Sequence, residues 1–217
     1  MKRSGPRPQA ASPAPAKAAK VAAKVASGAG EVRIIGGQWK RTRLPVAQRP
    51  GLRPTPDRVR ETLFNWLGQD LSGWHCLDAF AGTGALGLEA ASRGAASVLM
   101  VEQDAGLVAQ LYQHQQRLQA NTVRVQRGDA LAALRQAAGQ GLDLVLLDPP
   151  FDETALFVPA VQAAAAALAP QGFIYLEAPS AWTQEQLAPL GLALHRHLRA
   201  GAVHAHLLQR VPQIHQI

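Results

Sequence analysis

Beyond Trp74 the chain alternates between two patterns of apolar positions. Short apolar runs of strand length recur at His75–Ala79, Ser97–Val101, Thr122–Gln126, Asp143–Asp148 and Phe173–Glu177. Between them, Ala85–Ser92, Ala105–Gln119, Ala130–Ala137 and Thr154–Leu168 read as helices. A strand–helix series with short links predicts a doubly wound α/β fold, a parallel sheet covered by helices on both faces. Two further strand-like runs, Leu192–Leu198 and Val203–Gln209, meet at Ala200-Gly201 and predict a closing hairpin with an antiparallel strand. With a two-residue turn, His195 would oppose His206 and His197 would oppose His204, which puts four imidazoles on one face. Leu192, Leu194, Leu198, Val203 and Leu207 occupy the other face. The histidines therefore read as the solvated side of a hairpin rather than as metal ligands.

Upstream of Trp74 the pattern changes. Val32–Ile35 predicts a strand, Gly36-Gly37 a turn and Gln38–Arg41 the return strand. Thr55 before Pro56 is a helix start, with Thr as N-cap and Pro at the first helical position. Val59, Leu63, Phe64 and Leu67 then form one apolar helical stripe. Met1–Gly30 has no acid and no aromatic residue, and its Ala, Pro, Lys, Ser and Gly cannot bury enough surface to offset ordering entropy. It is expected to be a disordered basic tail.

Charge sharpens this division. The 217 residues carry a net +7, unevenly spread. Residues 1–30 hold six Lys+Arg and no acid, and residues 31–60 hold eight against Glu31 and Asp57. The remainder holds eight cations against thirteen acids. A basic front on an acidic body suggests a nucleic-acid partner. Arg33, Lys40, Arg41, Arg43, Arg49, Arg53, Arg58 and Arg60, with Trp39 among them, read as a phosphate-tracking surface. The single cysteine, Cys76, excludes a disulfide scaffold and a Cys-rich zinc site, reads as core, and fits a reducing cytoplasm. The longest uncharged stretch, Thr154–Leu176, is broken by Pro159, Pro170 and Gly172 and is a poor membrane span.

Candidate chemistry sits at the ends of the predicted strands. In Asp78-Ala79-Phe80-Ala81-Gly82-Thr83-Gly84-Ala85-Leu86-Gly87 an acid closes a strand and a Gly-rich turn opens a helix. Such turns bind cofactors at the carboxyl end of the first strand. Gly82, Gly84 and Gly87 also satisfy the dinucleotide fingerprint. Asp78 opposes a pyrophosphate but suits the cationic methionine end of S-adenosylmethionine. Glu102 ends the next strand, where a carboxylate can bind two ribose hydroxyls. Asp129 could accept an adenine amino group, cap the helix at Ala130, or do both. Asp148-Pro149-Pro150-Phe151 closes the fourth strand beside the expected switch point. There the Asp148 carboxylate and the Pro149 carbonyl could hold an amino group on a planar base, and Phe151 offers a stacking face. No metal is required.

Arg33-Ile34-Ile35-Gly36-Gly37, Arg53-Pro54-Thr55, Asp57-Arg58-Val59-Arg60-Glu61, the Asp78–Gly87 turn and Asp148-Pro149-Pro150-Phe151 together resemble the RsmD family. The resemblance covers about residues 31–180, reaches the final hairpin only in outline and leaves out the first 30 residues. It implies a seven-stranded, Rossmann-like S-adenosylmethionine-dependent methyltransferase fold over residues 55–217, with an N-terminal β-hairpin extension at 31–54. It also implies methylation of the exocyclic N2 of one guanine in 16S ribosomal RNA, on a partly assembled small subunit. On this reading Asp148, Pro149, Pro150 and Phe151 face the base, and Asp78, Phe80, Gly82, Gly84, Glu102 and Asp129 face the cofactor. Arg33, Trp39, Lys40, Arg41, Arg43, Arg53 and Arg58 face RNA. A cytoplasmic monomer is expected. The rivals are another amino-directed nucleic-acid methyltransferase, an NAD-dependent oxidoreductase resting on the three glycines, and a non-catalytic RNA-binding assembly factor.

Overall fold

The computed structural model describes residues 30–46 and 55–211. The basic tail up to residue 29, Arg49 and Arg53 lie outside the described residues. A two-stranded antiparallel ribbon comes first, β1 (Gly30–Arg33) with β2 (Arg43–Val46). Helix α1 (Asp57–Trp66) leads into β3 (His75–Asp78), α2 (Ala85–Ser92), β4 (Ser97–Glu102), α3 (Ala105–Leu118), β5 (Val123–Arg127) and α4 (Ala130–Gln136). Then follow β6 (Leu142–Leu147), α5 (Phe157–Ala167) after a 3₁₀ turn, β7 (Leu168–Ala178), the short α6 (Gln184–Leu187), β8 (Leu192–Ala200) and β9 (Val203–Arg210).

β3 to β9 form one sheet in the order β5-β4-β3-β6-β7-β9-β8. Every neighbouring pair from β5 to β7 is parallel, and β9 enters antiparallel between β7 and β8. The order reverses between β3 and β6, so the crevice of a doubly wound sheet falls at the ends of these strands. The central strands are apolar on both faces because helices cover both, and two core clusters form. One joins Leu63, Phe64, Leu88 and Met100, and the other joins Val101, Val145, Val161 and Ile174.

Several elements depart from the sequence expectation. The N-terminal strands pair Arg33 with Arg43, so the connection spans nine residues and is not a Gly-Gly turn. Residues 34–42 are recruited by α2 instead. The Gln38 N–H donates to the Ser92 carbonyl at 2.7 Å, and the Ser92 hydroxyl donates to the Gly36 carbonyl at 2.6 Å. At Gly37, whose φ is 71°, a Cβ would overlap the Ser92 carbonyl. The glycines therefore serve close approach to a helix, not strand reversal. Helix α1 starts one residue late: Pro56 takes the N-cap position, and Thr55 is buried. β7 begins at Leu168 rather than Phe173, and a register shift absorbs Pro170 and Gly172.

The final hairpin carries the largest correction. The two-residue turn is Gly201-Ala202 rather than Ala200-Gly201, which pairs Ala200 with Val203 and makes His197 oppose His206 and Arg199 oppose His204; a further register shift lies between Leu194 and Arg196. His206 is fully buried rather than solvated. Its Nε2 accepts the Trp182 N–H at 3.0 Å, so Nδ1 carries the proton toward the Leu176 carbonyl 3.2 Å away. His197 and His204 stack beside it, while His195 tilts against Phe173. No group of ligating side chains among the described residues could hold a metal.

Candidate active site

A cavity of about 1100 Å³ opens at the carboxyl ends of β3, β4, β6 and β7. Asp78, the last residue of β3, forms its floor. The Ala81 N–H donates to the Val101 carbonyl at 2.9 Å, and the Gly84 N–H donates back to the Ala81 carbonyl at 2.6 Å, folding the turn tightly. At Gly87 a Cβ would lie 2.8 Å from Met100 and 3.0 Å from Asp78 Oδ2. Absence of a side chain lets the Gly87 N–H reach that oxygen, at 2.9 Å. The other oxygen, Oδ1, is buried with no partner. Burial, with a smaller contribution from Glu102, pushes the Asp78 carboxyl up to about 7 against the relief of backbone N–H groups. An orphaned carboxylate oxygen on a residue that lines the cavity suits a cationic ligand group. This is the observation on which an ammonium-bearing cofactor fits the site.

Glu102 ends β4 half-buried. Its Oε2 accepts from the Gly82 N–H at 2.9 Å and its Oε1 from the Asp104 N–H at 2.8 Å, which fixes the carboxylate and leaves a lone pair on each oxygen. Asp129 caps α4, accepting from the Ala132 N–H at 2.7 Å, and also lines the cavity. Phe80, Gly82 and the segment Asp148–Phe151 line the same space. Gly84 is not among the lining residues: its φ of 79° sets the start of α2, and a Cβ there would meet Leu88 and Leu111.

Opposite the turn, Asp148 follows β6, and the Pro-Pro pair keeps the chain out of helix until Thr154. Sequence reasoning missed what stands behind it. Glu177, near the end of β7, is buried, lines the cavity and accepts from the Tyr175 hydroxyl at 2.9 Å. Thr55 also bonds to it. Burial first, then the charges of Glu177 and Asp78, hold Asp148 well above the ordinary carboxylate range. Burial raises Glu177 too, opposed by its bonds from Thr55 and Tyr175. Phe173–Glu177 has the same form as the β4 run, an apolar strand closing in an acid. Glu102 stood out because it ends the next strand after the Gly-rich turn, and Glu177 has no such place.

Glu89 is a second omission, visible in sequence as the lone acid of an otherwise apolar helix. It is fully buried in α2 and accepts from the Ile35 N–H at 2.8 Å and the Gly36 N–H at 2.7 Å. Arg60 and Arg93 reach it at 3.3 Å and 2.9 Å. Arg60 thus leaves the proposed phosphate surface for the interior. Arg33 pairs with Asp57 at 2.7 Å and Arg43 with Glu31 at 3.2 Å, while Trp39 is half-buried against the core. Lys40, Arg41 and Arg58 are exposed.

A seven-stranded sheet with one antiparallel insertion, wrapped around acids at the strand ends, defines the S-adenosylmethionine-dependent methyltransferase fold. The solved structure of yhhF from Escherichia coli superposes with a TM-score of 0.73 at 42% identity, covering 85% of this chain and 100% of that one. HI0767 from Haemophilus influenzae gives 0.69 at 34% identity over 84% and 100%. The chain belongs to the RsmD family, whose model, described as conserved hypothetical protein 95, matches residues 32–209. It is 43% identical over 192 residues to ribosomal RNA small subunit methyltransferase D of Escherichia coli strain K12, covering 86% of this chain and 94% of that protein. The Haemophilus influenzae protein of the same name is 46% identical over 125 residues, 56% of this chain and 65% of its own. With the family, the oxidoreductase alternative falls away. No helix among the described residues is long and apolar enough to cross a membrane.

Proposed function

We propose that this protein transfers a methyl group from S-adenosylmethionine to the exocyclic N2 of one guanine in 16S ribosomal RNA, acting on a partly assembled small subunit. The observation that carries the reading is the meeting of the Asp78 turn and the Asp148-Pro149-Pro150-Phe151 segment in one cavity. When bound, the cofactor's sulfonium supplies an electrophilic methyl group. Asp78 Oδ1 takes the methionine ammonium, Glu102 the ribose hydroxyls and Asp129 the adenine amino group, beside Phe80, Gly82 and Gly84. Asp148 and the Pro149 carbonyl accept the two hydrogens of the guanine amino group and turn its lone pair toward the methyl. Phe151 stacks on the extruded base, worth roughly 1–3 kcal/mol, which is comparable to the cost of extrusion. Catalysis is then largely orientation. The methylated nitrogen is cationic and loses one proton, and a carboxylate whose affinity for protons is raised by burial is suited to take it. Outside the cavity, the exposed Lys40, Arg41 and Arg58 supply cations for the RNA backbone, Arg33 and Arg43 join them by exchanging their carboxylate partners for phosphates, and Trp39 braces the arm.

The test is methyl transfer to unmodified small subunits, read by nucleoside mass spectrometry, with cofactor affinity measured by calorimetry. Asp148→Ala should reduce turnover on the order of 100-fold or more while changing cofactor affinity little. Asp78→Ala should weaken cofactor binding first. Methylation at another atom of the base, or equal loss of cofactor affinity in both variants, would overturn the assignment.

A further inference from the structure

Glu177 stands beside Asp148 in the cavity, yet the reaction as described gives it nothing to do. Leu146 pairs with Tyr175 and Leu147 with Leu176 in parallel register, so Asp148 and Glu177 come next at the carboxyl ends of β6 and β7. Leu144, Leu146 and Tyr175 share one core cluster, and Asp148 and Glu177 continue these alternating rows on the same face. Neighbouring strands lie about 5 Å apart, which sets the two carboxyl groups side by side. Asp78 ends β3 on the other flank of β6, where it pairs with Leu146. Glu177 is therefore on the side of Asp148 away from the Asp78 turn, where a base rather than the cofactor would enter.

The side chain is fixed in that place. Only 3% exposed, Glu177 accepts from the Tyr175 hydroxyl at 2.9 Å and from Thr55, which lines the cavity with it. A carboxylate offers about four acceptor positions, so these bonds leave room for more. Among the described residues that line the cavity there is no Lys, Arg or His to fill them. A ligand that brings its own N–H groups fits there. Burial raises the hold of Glu177 on a proton, and the bonds from Thr55 and Tyr175 oppose it. A further N–H at the carboxylate moves the balance toward the charged, accepting form.

We propose that Glu177 selects guanine, its carboxylate accepting the N1–H of the inserted base while Asp148 and the Pro149 carbonyl hold the N2 amino group. This rests on the proposed function and extends it to the specificity of the same site. Flipped bases are read along the Watson–Crick edge. Guanine presents its N1 hydrogen beside the two on N2, and the site answers each with an acceptor. Adenine and cytosine carry a ring-nitrogen lone pair beside their amino group. That lone pair would face the buried carboxylate and leave it unpaired, which rejects them. The competing role for Glu177 is structural, tying Tyr175 to Thr55.

The probe that separates the two roles is 2-aminopurine, which keeps the amino group of guanine but has no hydrogen on N1. Small subunits are reconstituted with guanine or 2-aminopurine at the position the full chain methylates, and kcat/KM is compared for wild type and Glu177→Gln. Wild type should favour guanine roughly 100-fold or more. The glutamine amide can donate to the bare N1, so Glu177→Gln should slow on guanine and narrow the preference to about tenfold or less. Cofactor affinity, read by calorimetry, should change little. Equal losses on both substrates, with the preference kept, would overturn the proposal in favour of the structural role. Equal use of the two bases by wild type would overturn it without any variant. If Glu177→Gln no longer binds cofactor, Glu177→Asp takes its place, keeping the charge one methylene further back. The preference should narrow there too, and an unchanged one sinks the proposal. A wild-type protein that methylates guanine N2 but fails the preference test removes only this inference. One that transfers no methyl group to the guanine subunit removes the proposed function as well.

Discussion

The ribbons β1–β2 and β8–β9 are both antiparallel pairs beside a parallel sheet, yet they are held by different forces. β9 is a strand of the main sheet, hydrogen-bonded on both sides, and Ala205, His206, Leu207 and Leu208 on it have no exposed surface. The first ribbon pairs only with itself. Val32 and Val46 rest on Ala85 at the start of α2, and Ile34 and Leu44 reach the main core. Its polar attachment runs mainly through two side chains of α2: Glu89 accepts from the Ile35 and Gly36 N–H groups, and Ser92 bonds to Gly36 and Trp39. A strand inside a sheet spreads its anchorage over many small contributions. An appended ribbon depends on few, so a single side chain can decide its position.

Removing Glu89 is therefore the most severe way to break the contrast. Glu89→Ala leaves Arg93 buried without its carboxylate, Arg60 with Asp57 alone, and the Ile35 and Gly36 N–H groups without an acceptor. A loss of about 3–5 kcal/mol is expected. Hydrogen exchange should show protection lost over residues 32–46 more than over β9. Equal loss in both ribbons would mean that Glu89 supports the whole domain instead of the arm.

The second ribbon should show its own weakness in acid. Burial pushes the His206 imidazole down to about 4, so the folded state holds it neutral while the unfolded chain protonates near its ordinary 6.5. Its contribution is present above that value and lost as pH falls from about 6.5 to about 4, amounting to roughly 2–3 kcal/mol. His206→Gln should flatten the urea-unfolding profile over this window, and an unchanged pH dependence would count against the buried neutral imidazole. Arg33→Ala is the mildest test. Its pair with Asp57 is half-exposed on both sides, so stability should change by less than about 1 kcal/mol. A larger loss would show the arm to be less dependent on Glu89 than its geometry says.

The same contrast explains what was legible in the chain. Strand-end acids and Gly-rich turns follow from backbone rules local to a dozen residues, so the cavity and its carboxylates Asp78, Glu102 and Asp148 could be placed from the pattern. Glu89 could not, because its partners Ile35 and Gly36 lie more than fifty residues away in the chain. The Gly-Gly pair was misread for the same reason. A turn and a close helix approach demand the same glycine, and only the tertiary neighbour, Ser92, distinguishes them. The histidine register failed at the turn, which falls on Gly201-Ala202 instead of Ala200-Gly201; a shift of two residues in the pairing keeps every side chain on the same face, so the alternating pattern does not distinguish the two.

The cavity wall is built from distant parts of the chain: Thr55 and Pro56 on one side, Ala200, Ala202 and Val203 on another. Protein chains emerge from the ribosome amino end first. A nascent chain grown as far as Glu177 already has the acids of the cavity, but β9 and the turn before it are missing. Those carboxyl groups would then face water rather than enclose a ligand. Completion of the site waits for translation of β9, and a truncation before Val203 should give a chain that makes the parallel strands yet never closes the chamber.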